Sequence, residues 1–139
     1  MRTLSVETRW DEDDATVLLS GELDLSTASQ VDQALADAEE KRPGLLVLDL
    51  RALSFIDSTG LRVVLSADGR ARKDGRRLEV VPGPHQVHRV FRIALLDRRI
   101  TFVEPPGESD EDETGSGPDE AGYAAGSGPG AGGPKGGSP

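Results

Sequence analysis

Leu45-Leu46-Val47-Leu48-Asp49-Leu50 constrains the fold more than any other stretch of the chain. Five of its six residues are large and apolar, and Pro43-Gly44 marks its start. It is far shorter than the ~20 residues a membrane helix needs. A run of this length without polar alternation is a strand covered on both faces, as in the middle of a parallel or mixed sheet. Such a sheet needs helical crossovers on either side of the strand.

Those crossovers are visible. Leu4, Val6 and Thr8 alternate with polar residues as a half-buried strand. The polar cluster Asp11-Glu12-Asp13-Asp14 turns the chain, and Thr16 to Leu23 returns as its hairpin partner. A helix starts near Thr27, which stands in capping-box spacing with Gln30. Val31, Leu35 and Ala38 form its apolar stripe, with Ala34 on the flank, and Pro43-Gly44 ends it. A second helix begins near Ser58 with Leu61, Val64, Leu65 and Ala71 inward, and Lys73-Asp74-Gly75 closes it. Leu78 to Val81 is another core strand. Pro84 opens a third helix with Val87, Val90, Phe91 and Ala94 on one face. Ile100 to Val103 is expected as a last short strand. The expected fold class is α/β: one domain with an open mixed sheet in the order β-β-α-β-α-β-α-β.

Composition divides the chain near Glu104. Residues 1–103 carry 17 acidic and 15 basic side chains, whereas residues 104–139 carry eight acidic and one basic, so the net charge of −9 belongs mainly to the second part. Pro105-Pro106 leads into the acidic run Glu108 to Glu113 and then into Gly, Pro, Ser and Ala, with Tyr123 the sole aromatic. Such a segment buries too little apolar surface to offset its chain entropy. The expected organisation is a domain over 1–104 and a disordered tail over 105–139. Cysteine is absent, which removes disulfides, thiol nucleophiles and thiolate metal ligands. The opening MRTLSVETRWDEDD has no apolar core of signal-peptide type, so a cytoplasmic protein is expected. The acidic balance disfavours nucleic acid, which calls for clustered Lys and Arg, and no membrane association is expected.

The segment from Leu48 to Leu61 carries the most functional information. A buried strand runs through a loop into a helix, and Asp57-Ser58-Thr59-Gly60 lies at the junction. A helix N-terminus leaves backbone N–H groups unpaired, and Ser or Asp oxygens satisfy them. Ser58 at such a place is also what an ordinary N-cap looks like.

Two blocks give this junction a family context. Ser20-Gly21-Glu22-Leu23-Asp24-Leu25-Ser26-Thr27-Ala28 and Leu48 to Leu61 resemble the two signature segments of STAS-domain anti-sigma-factor antagonists, over about residues 3–103. The resemblance implies a partner switch. The unphosphorylated antagonist binds an anti-sigma factor that is also a serine kinase, and so releases a sigma factor. Phosphorylation at Ser58 turns binding off, and a PP2C-type phosphatase restores it. The resemblance places Asp24, Asp57, Ser58, Thr59, Gly60 and Leu61 on the partner face. A monomer or weak dimer with no cofactor is expected. Many family members add a further helix after the last strand. Here Pro105-Pro106 and an acidic, Gly-rich stretch stand in its place. A stand-alone scaffold or small-molecule sensor on the same fold, and a serine-dependent α/β enzyme, are the alternative functions.

Other candidate sites are weaker. His85 and His88 share a helix face, but a zinc site needs further ligands. Arg70, Arg72, Lys73, Arg76 and Arg77 gather at the end of the second helix, where cations suit the helix dipole; Arg89, Arg92, Arg98 and Arg99 form a second basic cluster. A hydrolase elbow has small residues two before and two after its serine. Ile56 precedes Ser58, and only Gly60 fits. No catalytic residue is expected. Trp10 reads as a strand residue near the sheet edge.

Overall fold

The computed structural model describes residues 3–105. Two strands open the chain, β1 (Leu4–Asp11) and β2 (Asp14–Leu23), followed by α1 (Ala28–Glu40), β3 (Leu45–Ile56), α2 (Ser58–Lys73), β4 (Arg77–Val81) and α3 (His85–Ile93). The sheet order is β1-β2-β3-β4. The hairpin pairs β1 antiparallel to β2, while β2–β3 and β3–β4 are parallel. Helices α1 and α2 are the crossovers of the two parallel steps. This is the open mixed α/β sheet expected from the sequence.

The period-two rule sorts the faces. Ala15, Val17 and Leu19 of β2 are buried and pair across the sheet with the row that contains Leu46 and Leu48 of β3, and Leu78 and Val80 of β4. Val31 and Leu35 of α1, Val63 and Val64 of α2, and Val87 and Phe91 of α3 join these residues in one core cluster. Val47 and Val81, on the opposite face, are buried but stand outside that cluster. All of residues 46–50 are buried, including Asp49, whose carboxylate is gripped by Arg51 at 2.8 Å. Burial pushes the Asp49 carboxyl upward. The hydrogen bonds and charge of Arg51 together outweigh it and hold the group below the usual carboxylate range.

Helix α1 buries Ala28, Val31, Leu35 and Ala38, the stripe the sequence showed. Helix α2 is rotated from expectation. Its buried residues are Gly60, Val63, Val64, Ala67, Asp68 and Ala71, with Leu61 and Leu65 only partly buried. Glycine and aspartate do not score as apolar, so the true face was hidden. Asp68 is 3 % exposed and bonds Arg72 at 2.8 Å and Arg99 at 3.0 Å, which ties the segment after α3 to α2. Arg70 forks onto Glu39 of α1. Arg76 pairs with Asp74, and Arg77 with Glu79. Much of the basic run is therefore internal wiring.

The expected final strand is reduced to one bridge. Phe102 pairs in parallel with Val80, held by Val80 N–H to Thr101 O and Val103 N–H to Val80 O, both at 2.9 Å. Pro105 soon afterwards cannot donate to a ladder. The expected tail lies, from Pro106 onward, outside the described residues. Among the described residues no helix is long and apolar enough to cross a membrane.

His88 is half-buried against the aromatic residues of α3 and the last bridge. Its ring stacks on Phe91 at 6.3 Å and meets Phe102 edge-on at 4.7 Å, and its Nδ1 is buried without a hydrogen-bond partner. Burial first, then the Arg92 and His85 charges, push its pKa below 6.5, with Asp97 opposing. The unfolded chain then binds the proton more readily than the folded one. The linked stability is present above pH ~6.5 and is lost as pH falls through the lower folded pKa. Thermal melts from pH 7.5 to 5 will fall more steeply for the wild type than for His88→Leu; parallel slopes would show that His88 is not the responsible group.

Candidate functional site

The two signature blocks end side by side. In the parallel β2–β3 pair, Leu23 is opposite Ile56, and the next residue, Asp57, donates its N–H to Leu23 O at 3.2 Å. This is the carboxyl end of adjacent parallel strands, where open α/β sheets place their sites. β2 reaches it through register shifts between Leu18 and Ser20 and between Gly21 and Glu22. Gly21 sits at φ +113°, and a Cβ there would come within 2.5 Å of Thr3 O. The glycine of the first block is thus required by the backbone.

After Leu23 the chain makes a tight polar turn. Asp24 is buried, and its Oδ1 accepts from Ser26 N–H at 2.9 Å and from Ser26 Oγ at 2.7 Å. Thr27 is positioned as the residue before α1 but does not cap it. Its hydroxyl donates to Glu22 O at 2.8 Å and accepts from Asp24 N–H at 3.0 Å. The capping-box expectation fails because the hydroxyl closes the loop instead. Leu25 is left 79 % exposed.

The sequence predicts strand, loop and helix for the second block. The strand in fact continues to Ile56, and Asp57 alone separates it from α2. Asp57 is the N-cap, with extended backbone and a side-chain oxygen accepting from Gly60 N–H at 3.1 Å. Ser58 is consequently the first helical residue, exposed, and freed from capping duty. Thr59 and Leu61 are partly buried. Gly60 is buried where a Cβ would lie 2.6 Å from Ile56 Cγ1 and 2.8 Å from Leu23 Cγ. Its lack of a side chain lets α2 seat on the ends of both strands.

Of the six residues assigned to the partner face, then, Asp57, Ser58, Thr59, Gly60 and Leu61 are contiguous through the first turn of α2. Asp24 joins them through the Leu23–Asp57 contact, as a buried loop former. Leu25 was missed. Its signal was an apolar residue between two polar turn formers. His85 and His88 belong to α3, and among the described residues no cluster of three or more His, Cys, Asp or Glu could hold a metal ion.

The family model described as "Mlab, STAS domain" matches residues 6–104. The chain belongs to the STAS-domain family. A curated relative, the anti-sigma-B factor antagonist of Listeria monocytogenes, is 32 % identical over 98 residues, which is 70 % of this chain and 86 % of the relative. Among solved structures, an anti-sigma factor antagonist from Mycobacterium paratuberculosis superposes with TM-score 0.68 at 24 % identity, covering 77 % of this STAS chain and 90 % of its own. The anti-sigma factor antagonist SpoIIAA in its unphosphorylated form gives TM-score 0.61 at 20 % identity, covering 71 % and 88 %. These two likenesses concern the fold.

The geometry of this STAS site predicts two distinct losses. Asp57→Ala removes the cap and lowers stability by about 1 kcal/mol. Gly60→Ala forces α2 away from Leu23 and Ile56 and costs roughly 1–3 kcal/mol. Urea unfolding measures both; a neutral Gly60→Ala would contradict the close seating of α2.

Proposed function

We propose that this chain is an anti-sigma-factor antagonist, a cytoplasmic regulator that acts by binding rather than by catalysis. In this reading the unphosphorylated form binds an anti-sigma factor with serine-kinase activity and frees a sigma factor. Phosphorylation of Ser58 releases the partner, and a PP2C-type phosphatase resets the switch. The observation that carries the reading is Ser58 itself: an exposed hydroxyl on the first residue of α2, whose cap is supplied by Asp57. The curated antagonist relative supports the same role.

The physics of the switch is local. Phosphate adds roughly −1.5 to −2 charges at neutral pH. The N-terminus of α2 tolerates that charge through its free N–H groups and dipole. Arg62, exposed one helical turn further on, lies at the i,i+4 distance that suits a phosphoserine. The fold therefore survives modification. The interface does not, because a partner fitted to a hydroxyl beside Asp57 must accept a bulky dianion. A like-charge pair at 4 Å costs about 4 kcal/mol at an effective dielectric of 20. Exposure and salt reduce that severalfold, to near the 1.4 kcal/mol of a tenfold affinity change. Exposed Leu25 supplies the apolar contact beside the charged centre. Asp24, Asp57, Thr59, Gly60 and Leu61 shape the rest, and residues 1–104 suffice for the function without the 105–139 tail.

Intact-mass measurement after incubation with ATP and a candidate serine kinase tests the site. One added phosphate is expected on the wild type and none on Ser58→Ala. Ser58→Asp is expected to keep the circular dichroism of the wild type and to bind the kinase at least tenfold more weakly by calorimetry. A protein that no candidate kinase modifies or binds would favour the scaffold or sensor reading, and turnover lost in Ser58→Ala would favour an enzyme.

A further inference from the structure

Among the described residues β1 is an edge strand, paired with β2 on one side only. Its hairpin turn is the two residues Glu12-Asp13, so Asp11 and Asp14 flank it as a hydrogen-bonded pair. Bonded and non-bonded pairs alternate from there. Arg9 and Glu7 exchange their backbone bonds with β2. Trp10, Thr8 and Val6 turn their N–H and C=O groups toward the open edge.

The side chains of β1 also divide into two rows. Val6, Thr8 and Trp10 face the helix layer, yet Thr8 is exposed and Trp10 is 40 % exposed. A groove of about 590 Å³ runs between that row and α1, bordered by Gln30, Gln33, Asp37 and Lys41. The Lys41 ammonium lies 5.4 Å from the Trp10 ring centre. On the opposite face Glu7 and Arg9 pair at 2.9 Å, and both are largely exposed.

We propose that this edge is a self-association surface, on which β1 pairs antiparallel with β1 of a second copy about a two-fold axis at Thr8. Three registers satisfy the outward N–H and C=O groups near the strand centre, and charge separates them. Centred on Glu7, the strands place Glu7 against Glu7 of the second copy; centred on Arg9, they place Arg9 against Arg9. Like charges directly opposite destabilise a sheet pair. Centred on Thr8, Glu7 meets the second copy's Arg9 in both halves of the contact, and Val6 meets the second copy's Trp10. The same register aligns the outward backbone groups of Val6, Thr8 and Trp10 with those of Trp10, Thr8 and Val6 in the second copy. The surface is thus self-complementary, as a two-fold contact requires. A single strand pair is a small interface, so the dimer is a weak one. Its axis lies mid-strand on β1, which β2 separates from β3, the strand that leads into the first turn of α2.

Sedimentation equilibrium of the full chain, from micromolar to near-millimolar concentration, is the test. The wild-type mass is expected to climb toward twice the monomer, with a blue shift in emission from Trp10, the single tryptophan. Arg9→Glu sets Glu7 against a new acid in both halves and is expected to raise the dissociation constant at least tenfold; Glu7→Arg combined with Arg9→Glu is expected to restore it. Thr8→Pro removes an outward N–H at an edge position that tolerates proline, so it is expected to fold and remain monomeric. The chain has no cysteine. Thr8→Cys alone is therefore expected to form a disulfide dimer on oxidation, since paired Cα atoms about 5.5 Å apart fall within disulfide reach. A wild type that stays monomeric throughout, a dimer indifferent to Thr8→Pro, or a charge swap no better than Arg9→Glu would overturn the proposal. Ser58→Asp is expected to leave this dimer unchanged, which separates the result from the fate of the proposed switch.

Discussion

The parallel pairing of β2 with β3 is the contact on which the rest of the molecule depends. It runs from Asp14 opposite Leu45 to Leu23 opposite Ile56 and joins the hairpin to the crossover units. The buried rows of both strands supply the floor on which α1, α2 and α3 pack. Its far end also fixes where α2 can start. Asp57 hangs from Leu23 by a backbone bond, and Gly60 rests on Leu23 and Ile56. The position of Ser58 follows from strand register rather than from any contact of its own.

Much of this was legible because it is governed by period and by breakers. The apolar run 45–50, the polar turn 11–14 and the α1 stripe each obey a single local rule, and each appears where the sequence put it. The departures share a cause: a side chain or backbone group answered to a distant partner. Thr27 has the spacing of a capping box, yet Glu22 O and Asp24 N–H claim its hydroxyl. Asp68 looks like a solvent-facing residue of α2 until Arg72 and Arg99 make its burial tolerable. The strand 100–103 has suitable residues but only Val80 to pair with.

The place of the candidate site in the fold was readable, and the local roles of its side chains less so. The Asp57-Ser58-Thr59-Gly60 motif located the junction, but local chemistry leaves two residues competing for the cap. The structure gives the cap to Asp57, so capping does not call on the Ser58 hydroxyl. Asp24, grouped with the same face by resemblance, is an internal hydrogen-bond acceptor whose turn presents Leu25. The exposed residue and the buried residue beside it thus have different duties, which no tetrapeptide pattern distinguishes.

The register that joins Leu23 to Ile56 also makes the surface around Ser58 a property of the native state alone. Its components come from chain segments separated by the whole of α1 and most of β3, and they scatter when the sheet opens. A molecule that occupies this surface has no counterpart to bind in the unfolded ensemble. Mass action then converts its affinity directly into resistance to unfolding. Occupancy of the surface and the lifetime of the folded chain are therefore coupled quantities: a cell that changes the supply of such a molecule changes how much of this protein it keeps.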